Sequence, residues 1–365
     1  PAVPFVIGNS KLKKIIVGIE NEAIPESDIK LKYQILNSDF SFSKSNTITL
    51  PIKYKSKPKD RLYAYSYRLE KNNKFYFNAN SMEYRVDLQS KKVKNTSIYF
   101  KGKKTRSISK RTVGSQTKIF GFYEDRSKGK KVTGIDGVFH AVLNDNHELE
   151  NVVFSRFSKK LLNKMFQNSK NKRKKSRQKF FNISSDSNYG SINLFYNLED
   201  VVLDKDGSIY LISTIVFNSS RQKCKTSSNG SQSCTTVITS RNTNVTVFKL
   251  TNKGGIEWGI NHDREINYSL WSINDIKAVH DNNSLYIIYG AKPQKGRTRS
   301  IEYIQVSKKD GKTTKKLLEV NNAETPKKVT KRIIPGFYMK KIDNKIFVYH
   351  TKKKSEGFYG VIELK

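Results

Sequence analysis

Leu285-Tyr286-Ile287-Ile288-Tyr289, then Ile301-Glu302-Tyr303-Ile304-Gln305-Val306 and the polar turn Lys309-Asp310-Gly311, form the stretch that decides the fold. A β-branched and aromatic run, a second run and a turn read as two strands of an antiparallel meander. The same phrase begins at Ile15, Phe75, Ile119, Ile209 and Ile346, with partner runs at 31–36, 84–88, 138–143, 245–250 and 358–364. Turn residues close most copies, among them Asn37-Ser38-Asp39, Gln89-Ser90-Lys91, Asn144-Asp145-Asn146 and Asn252-Lys253-Gly254-Gly255. Six meanders without a shared catalytic motif predict an all-β chain: a β-propeller of six blades forming one domain over 1–365. Tyr210, Tyr286 and Phe347 hold equivalent places and are expected to face the core between blades.

The spacing is uneven. The copies at Ile119, Ile209 and Leu285 lie farther apart than the roughly 40–50 residues of a blade, so insertions are expected at about 151–192 and 213–243. The first carries the one helical pattern: Phe154, Phe157, Leu161, Leu162, Met165 and Phe166 recur at three- and four-residue steps, with Lys159, Lys160 and Lys164 opposite. Its apolar stripe is expected to pack on the propeller flank. Ring closure has two solutions. Phe5-Val6-Ile7 could open the first blade, or residues 2–8 could complete the last, which otherwise has three strands. The closing strand is the expectation, because an open ring leaves an exposed edge.

Lys plus Arg number 69 against 32 for Asp plus Glu, a formal net charge of +37. Self-repulsion on this scale costs stability and favours anionic partners: nucleic acid, acidic lipid headgroups, acidic proteins or polysaccharides. A Lys- and Asn-rich composition inherited from an AT-rich genome accounts for part of it. The densest run is Lys170-Asn171-Lys172-Arg173-Lys174-Lys175-Ser176-Arg177-Gln178-Lys179. Lys170, Lys172, Arg173, Lys174, Lys175, Arg177 and Lys179 are a candidate surface for an anionic partner, and a solvated loop is the competing reading.

The chain opens at Pro1 without Met, and a processed precursor or a trimmed sequence is the expectation. No apolar run approaches the roughly 18 residues needed to span a bilayer. The two cysteines, Cys224 and Cys234, flank a segment with Asn229-Gly230 near its middle. That hairpin dipeptide would bring the thiols face to face, so a disulfide and an oxidising compartment are expected; two free thiols are the alternative.

Motifs for chemistry are missing. His140, His147, His262, His280 and His350 are scattered without metal-ligand spacing and read as surface or packing residues. Asp204-Lys205-Asp206-Gly207 lacks the later ligands of a calcium loop and reads as a β-turn. No nucleophile elbow, phosphate loop or dinucleotide fingerprint is present. No catalytic, cofactor or metal residue is therefore assigned, although acids from several blades could meet at the channel of a propeller hydrolase or lyase. The aromatics stand in strands rather than in a basic stripe, which makes charge-driven polyanion contact credible and base readout not.

Several stretches resemble exported β-propeller proteins of the Bacteroidota cell envelope. They are Gly121-Phe122-Tyr123, Gly134-Ile135-Asp136-Gly137-Val138-Phe139, Leu198-Glu199-Asp200-Val201-Val202-Leu203-Asp204-Lys205-Asp206-Gly207, Val247-Phe248-Lys249-Leu250 and Gly255-Ile256-Glu257-Trp258. Tyr268-Ser269, Asp275-Ile276 and the run from Ser284 continue them, so the likeness covers the middle and C-terminal two-thirds. The resemblance implies a non-enzymatic, periplasmic or secreted interaction module without cofactor. Its sharpest form is an accessory subunit of the type 9 secretion translocon that plugs or regulates the outer-membrane pore, docked on an acidic protein partner. A basic polyanion-binding propeller is the alternative.

Overall fold

The computed structural model describes residues 3–9, 14–20, 28–37, 39–53, 68–70, 74–79, 82–98, 100–113, 116–126, 134–144, 146–166, 181–183, 188–192, 195–269, 276–290, 301–317, 338–342, 345–353 and 356–363. Among them strands dominate, and Lys159–Phe166 is the one helix. Six antiparallel meanders succeed one another in chain order. Blade 1 is Val3–Asn9, Lys14–Glu20, Asp28–Leu36 and Asn46–Lys53. Blade 2 is Arg68–Glu70, Lys74–Ala79, Met82–Asp87 and Val93–Ser97. Blade 3 is Lys103–Val113, Gln116–Asp125, Gly137–Leu143 and Leu149–Arg156. Blade 4 is Phe195–Leu203, Ile209–Thr226, Gln232–Leu250 and Ile256–Ser269. Blade 5 is Lys277–His280, Ser284–Gly290, Ile301–Ser307 and Thr313–Leu317. Blade 6 shows three strands among the described residues, Tyr338–Ile342, Lys345–Lys353 and Glu356–Glu363. The expected phrases are the second and third strands of these blades. The fold is all-β, a β-propeller of six blades with a short helix in an insertion.

The chain divides into two compact units. One holds residues 1–101 and 143–150; the other holds 102–142 and 151–365. In the first, Val3–Asn9 pairs with Lys14–Glu20 from Val3 opposite Glu20 to Asn9 opposite Lys14. It is therefore the first strand of blade 1, and the expectation that it completes blade 6 is corrected. Local pairing across a four-residue connection costs little loop-closure entropy, which decides between the two placements. Blade 1 buries alternate residues, Ile16, Leu31, Tyr33, Ile48 and Leu50, whereas blade 2 buries the adjacent Phe75 and Tyr76 together with Tyr84 and Val86.

The second unit shows how blades stack. In blade 4, Ile209 and Leu211 enter a cluster with Phe120, Phe122 and Val138 of blade 3. Tyr210 and Ile212 enter another with Leu285, Ile287, Tyr289, Ile304 and Val306 of blade 5. A strand covered on both faces needs a continuous apolar run rather than alternation, which is what 209–212 supplies. Tyr210 is a core residue as expected, whereas Tyr286 is half-buried and its hydroxyl donates to Asp281 Oδ2 at 2.7 Å. That expectation is corrected: in blade 5 the buried phase is carried by Leu285, Ile287 and Tyr289. The Phe347 side chain lies outside what the structure describes.

The first insertion also starts later than expected, because 151–156 belong to the fourth strand of blade 3. Phe154 lies in that strand, and the helix itself begins at Lys159. Leu162, Met165 and Phe166 are buried in the cluster between blades 3 and 4, so the stripe is core, as expected of a packed helix. Its seat depends on Gly259, where a β-carbon would lie 2.7 Å from Met165 Sδ. Replacing Tyr210 by Ala should cost about 3–5 kcal/mol of stability, and Tyr286 by Ala clearly less, in paired denaturant titrations.

Candidate interaction surface

The second and third strands of blade 4 run on past their own blade. Their pairing continues without a break from Val216 opposite Asn242 to Thr226 opposite Gln232, after a bulge between Thr214 and Val216. At about 3.4 Å per residue this two-stranded ribbon is roughly 35 Å long. The first strand stops pairing at Phe195 opposite Val216, and the fourth at Ser269 opposite Thr239. Beyond those points both ribbon edges lack a neighbouring strand among the described residues.

The tip is built as its sequence requires. Ser227 N–H donates to Ser231 O at 2.9 Å, Gly230 N–H to Ser227 O at 2.9 Å, and Gly230 takes a φ of 78° open to glycine at little cost. Cys224 and Cys234 stand directly opposite and form the expected disulfide. Every residue from Cys224 to Thr236 is exposed. By register Arg221, Lys223 and Lys225 hold alternate positions along one strand, and Arg241 pairs with Phe217. No Asp or Glu occurs between 215 and 242.

The other candidate surface, Lys170, Lys172, Arg173, Lys174, Lys175, Arg177 and Lys179, lies outside the described residues.

Several carboxylates of the second unit are engaged. Glu124 is held by Arg106 at 2.7 Å and Arg126 at 3.3 Å, and Asp125 by Lys103 at 2.5 Å. Asp136 accepts the Asp125 N–H at 2.6 Å, and its burial raises its pKa. Glu199 accepts from the Thr214 hydroxyl at 2.6 Å. Asp200 is buried: it accepts from Arg111 Nη2 at 2.9 Å, from its neighbour Val201 N–H at 2.8 Å and from Ala278 N–H at 3.1 Å. The 204–207 segment is the expected β-turn, with Gly207 at φ 84° and its N–H on Asp204 O at 3.1 Å. Asp204 Oδ2 there receives buried Lys308 Nζ at 2.5 Å, while that ammonium also lies 3.1 Å from His280 Nδ1. Sequence reading did not single out Lys308, which follows a strand like many other lysines. Among the described residues no group of three or more His, Cys, Asp or Glu could hold a metal, and no helix is long and apolar enough to cross a membrane.

His140 and His147 are buried packing residues. His140 stacks on Phe120 at 5.3 Å between ring centroids, and its Nε2 has no hydrogen-bond partner among the described residues. Gly254, at φ 84°, lets the 251–255 turn close over it: a β-carbon there would lie 3.1 Å from His140 Cβ. Ser155 Oγ donates to the Gly254 carbonyl at 2.9 Å and holds that turn. Burial, with Lys118 nearby, lowers the His140 pKa to about 4.

No protein-family model matches the chain, and neither does any curated protein sequence. Solved structures it is similar to include a thermostable family-43 glycoside hydrolase, at 10% identity and TM-score 0.29, covering 98% of this chain and 87% of that one. An oligogalacturonate lyase from Vibrio parahaemolyticus matches at 9% identity and TM-score 0.28, covering 99% and 96%. A family-43 glycoside hydrolase protein from Bacillus licheniformis matches at 6% identity and TM-score 0.27, covering 99% and 76%. Likeness this low carries no argument about activity.

Two outcomes follow from this geometry. The folded chain holds His140 neutral, so below its ordinary value of 6.5 only the unfolded chain takes up the proton. Stability should be lost as pH falls from 6.5 towards about 4, and His140→Phe should flatten that part of the profile in thermal melts. Cys224→Ser with Cys234→Ser should fray the ribbon in hydrogen exchange and leave the main melting transition nearly unmoved, because the closed loop is short and local.

Proposed function

We propose that this chain is a non-enzymatic interaction module exported to the cell envelope, and that the disulfide-tipped ribbon of blade 4 is its contact element. The observation that carries the reading is the ribbon itself. Ordering a residue costs roughly 1–2 kcal/mol of backbone entropy, and the outer ribbon is fully exposed from Cys224 to Thr236 rather than added to a core. A crosslinked, preorganised arm lowers the entropic cost of binding a partner. Its disulfide suits an oxidising compartment such as the periplasm or the exterior. The engaged state of Glu124, Asp125, Asp200 and Asp204 supports binding over acid–base catalysis at those positions. Following the resemblance of the middle and C-terminal stretches, the sharpest form of the reading is a subunit that plugs or regulates the type 9 secretion translocon, with an acidic protein face as the ribbon's counterpart.

A second reading, polyanion binding, is favoured by the basic residues that the ribbon segment carries and the absence of acids among them. The two separate by experiment. Excising residues 218–240 and joining Phe217 to Arg241 through Asn-Gly should leave the melting temperature within a few degrees and abolish co-purification of an envelope protein from native membranes. Retention of the same partner by the excised chain would defeat the proposal. Release of nucleic acid or polysaccharide instead of protein, with a steep loss of binding in added salt, would favour the second reading.

A further inference from the structure

Blade 1 carries a feature that its own packing does not explain. After the strand Asp28–Leu36 the chain turns at 37–43 and displays two phenylalanines, Phe40 at 83% and Phe42 at 56% exposure. They are the most exposed large apolar side chains among the described residues. Phe40 also has a φ of 63°, in the left-handed region that a bulky side chain occupies only at a cost.

The turn is held in this form by a dense set of hydrogen bonds. Asn37 N–H donates to Ser41 O at 2.9 Å, Phe40 N–H to Asn37 O at 3.1 Å, and Ser43 N–H to Ile35 O at 2.8 Å. Ile35 N–H donates to Ser43 Oγ at 2.8 Å and Gln34 Nε2 to Ser43 O at 3.1 Å. Asp39 Oδ1 accepts both the Ser41 N–H at 2.9 Å and the Ser41 hydroxyl at 2.6 Å, which turns this one acid of the segment onto its own loop. A turn under folding constraints alone would place Gly or Asn at position 40. Strain maintained by surrounding bonds to present an exposed ring marks a contact site.

The surroundings say what the rings meet. Leu36 bridges to Phe42, so Phe42 stands in line with the exposed alternate residues Lys32 and Gln34, and exposed Lys44 follows it. Protruding aromatic rings on a strand edge that also carries exposed lysines match the headgroup level of an anionic bilayer, where rings enter the interface and lysines meet phosphates. The charge of +37 supplies attraction at longer range. We propose that the 37–44 turn is a membrane-surface anchor that inserts Phe40 and Phe42 into an anionic lipid interface with Lys32 and Lys44 over the headgroups. This goes beyond the ribbon's role and does not depend on the ribbon's partner.

Co-sedimentation of the full chain with vesicles tests it. Vesicles of phosphatidylglycerol and phosphatidylethanolamine should bind the protein, and pure phosphatidylcholine vesicles should bind it far less. Phe40→Ser with Phe42→Ser should weaken partitioning at least about tenfold, since two buried rings are removed. Phe40→Gly is the decisive single change: the left-handed position suits glycine, so the melting temperature should hold or rise while binding falls. Lys32→Glu with Lys44→Glu should weaken binding to the anionic vesicles and flatten its salt dependence. Ribbon-excised protein should bind vesicles like the full chain, so failure of the ribbon reading leaves this result intact. Absence of wild-type binding to the anionic vesicles, or equal binding by the double Phe variant, would overturn the proposal. Capture of an envelope protein through Phe40 and Phe42 without vesicle binding would assign the turn to a protein contact instead.

Discussion

The buried carboxylate of Asp200 ties together the first strands of three consecutive blades. It takes the Arg111 guanidinium from blade 3, the N–H of its own neighbour Val201 and the Ala278 N–H from blade 5. The first strand of blade 3, Lys103–Val113, is rich in basic and hydroxyl side chains, so apolar area alone does not hold it in place. A charge withdrawn from water needs every lone pair used, and here the partners come from both flanking blades. Arg111 Nε also reaches the Val201 carbonyl at 3.4 Å, and Ser107 Oγ donates to Tyr196 O at 2.5 Å along the same seam. With this inner edge fixed, the second and third strands stack their apolar faces outward from it. The depth of the cores on either side of blade 4 follows from that alignment.

The meander rhythm was legible because second and third strands read as dense apolar runs, buried on both faces in blades 3 and 4. The first strands were not. Lys103-Lys104-Thr105-Arg106-Ser107-Ile108-Ser109-Lys110 shows no apolar stretch, and its place is set by Ser107, Arg106 and Arg111 bonding to neighbours far along the chain. Tyr286 misled because an aromatic in a strand can keep its hydroxyl on a turn, and alternation alone does not say which phase a neighbouring blade will cover. The disulfide was readable from Asn229-Gly230 midway between two cysteines. The ribbon's length was readable only as excess spacing, and the fourth strand at 149–156 was hidden under a helix-like phase of phenylalanines. The aromatic turn of blade 1 left a faint signal, Asp39-Phe40-Ser41-Phe42-Ser43, in which apolar residues interrupt turn formers; what distinguishes it is a backbone angle, which composition does not carry.

Charge in this protein is asymmetric in use as well as in number. Several of its relatively few acids are consumed in cross-strand or inter-blade pairs, as with Glu124, Asp125, Asp200 and Asp204. The surplus cations therefore stand largely uncompensated at the surface, and a long-range field results rather than local bridges. A field of that sign selects the class of surface the molecule approaches. Shaped elements such as an arm or a rigid turn must then select the contact.

The ribbon has a further consequence for how such a chain can change over generations. Its two strands are in register with a period of two, and the blade below ends at a bulge that absorbs local irregularity. Adding or removing residues two at a time on each side would lengthen or shorten the arm while keeping the same faces outward and the cysteines paired. A single-residue change on one side would turn the later residues of that strand to the opposite face and break the cysteine pairing. Arm length is thus free to drift in even steps, whereas the blade from which it grows is not, so descendants of one ancestor can reach counterparts at different distances without altering their cores.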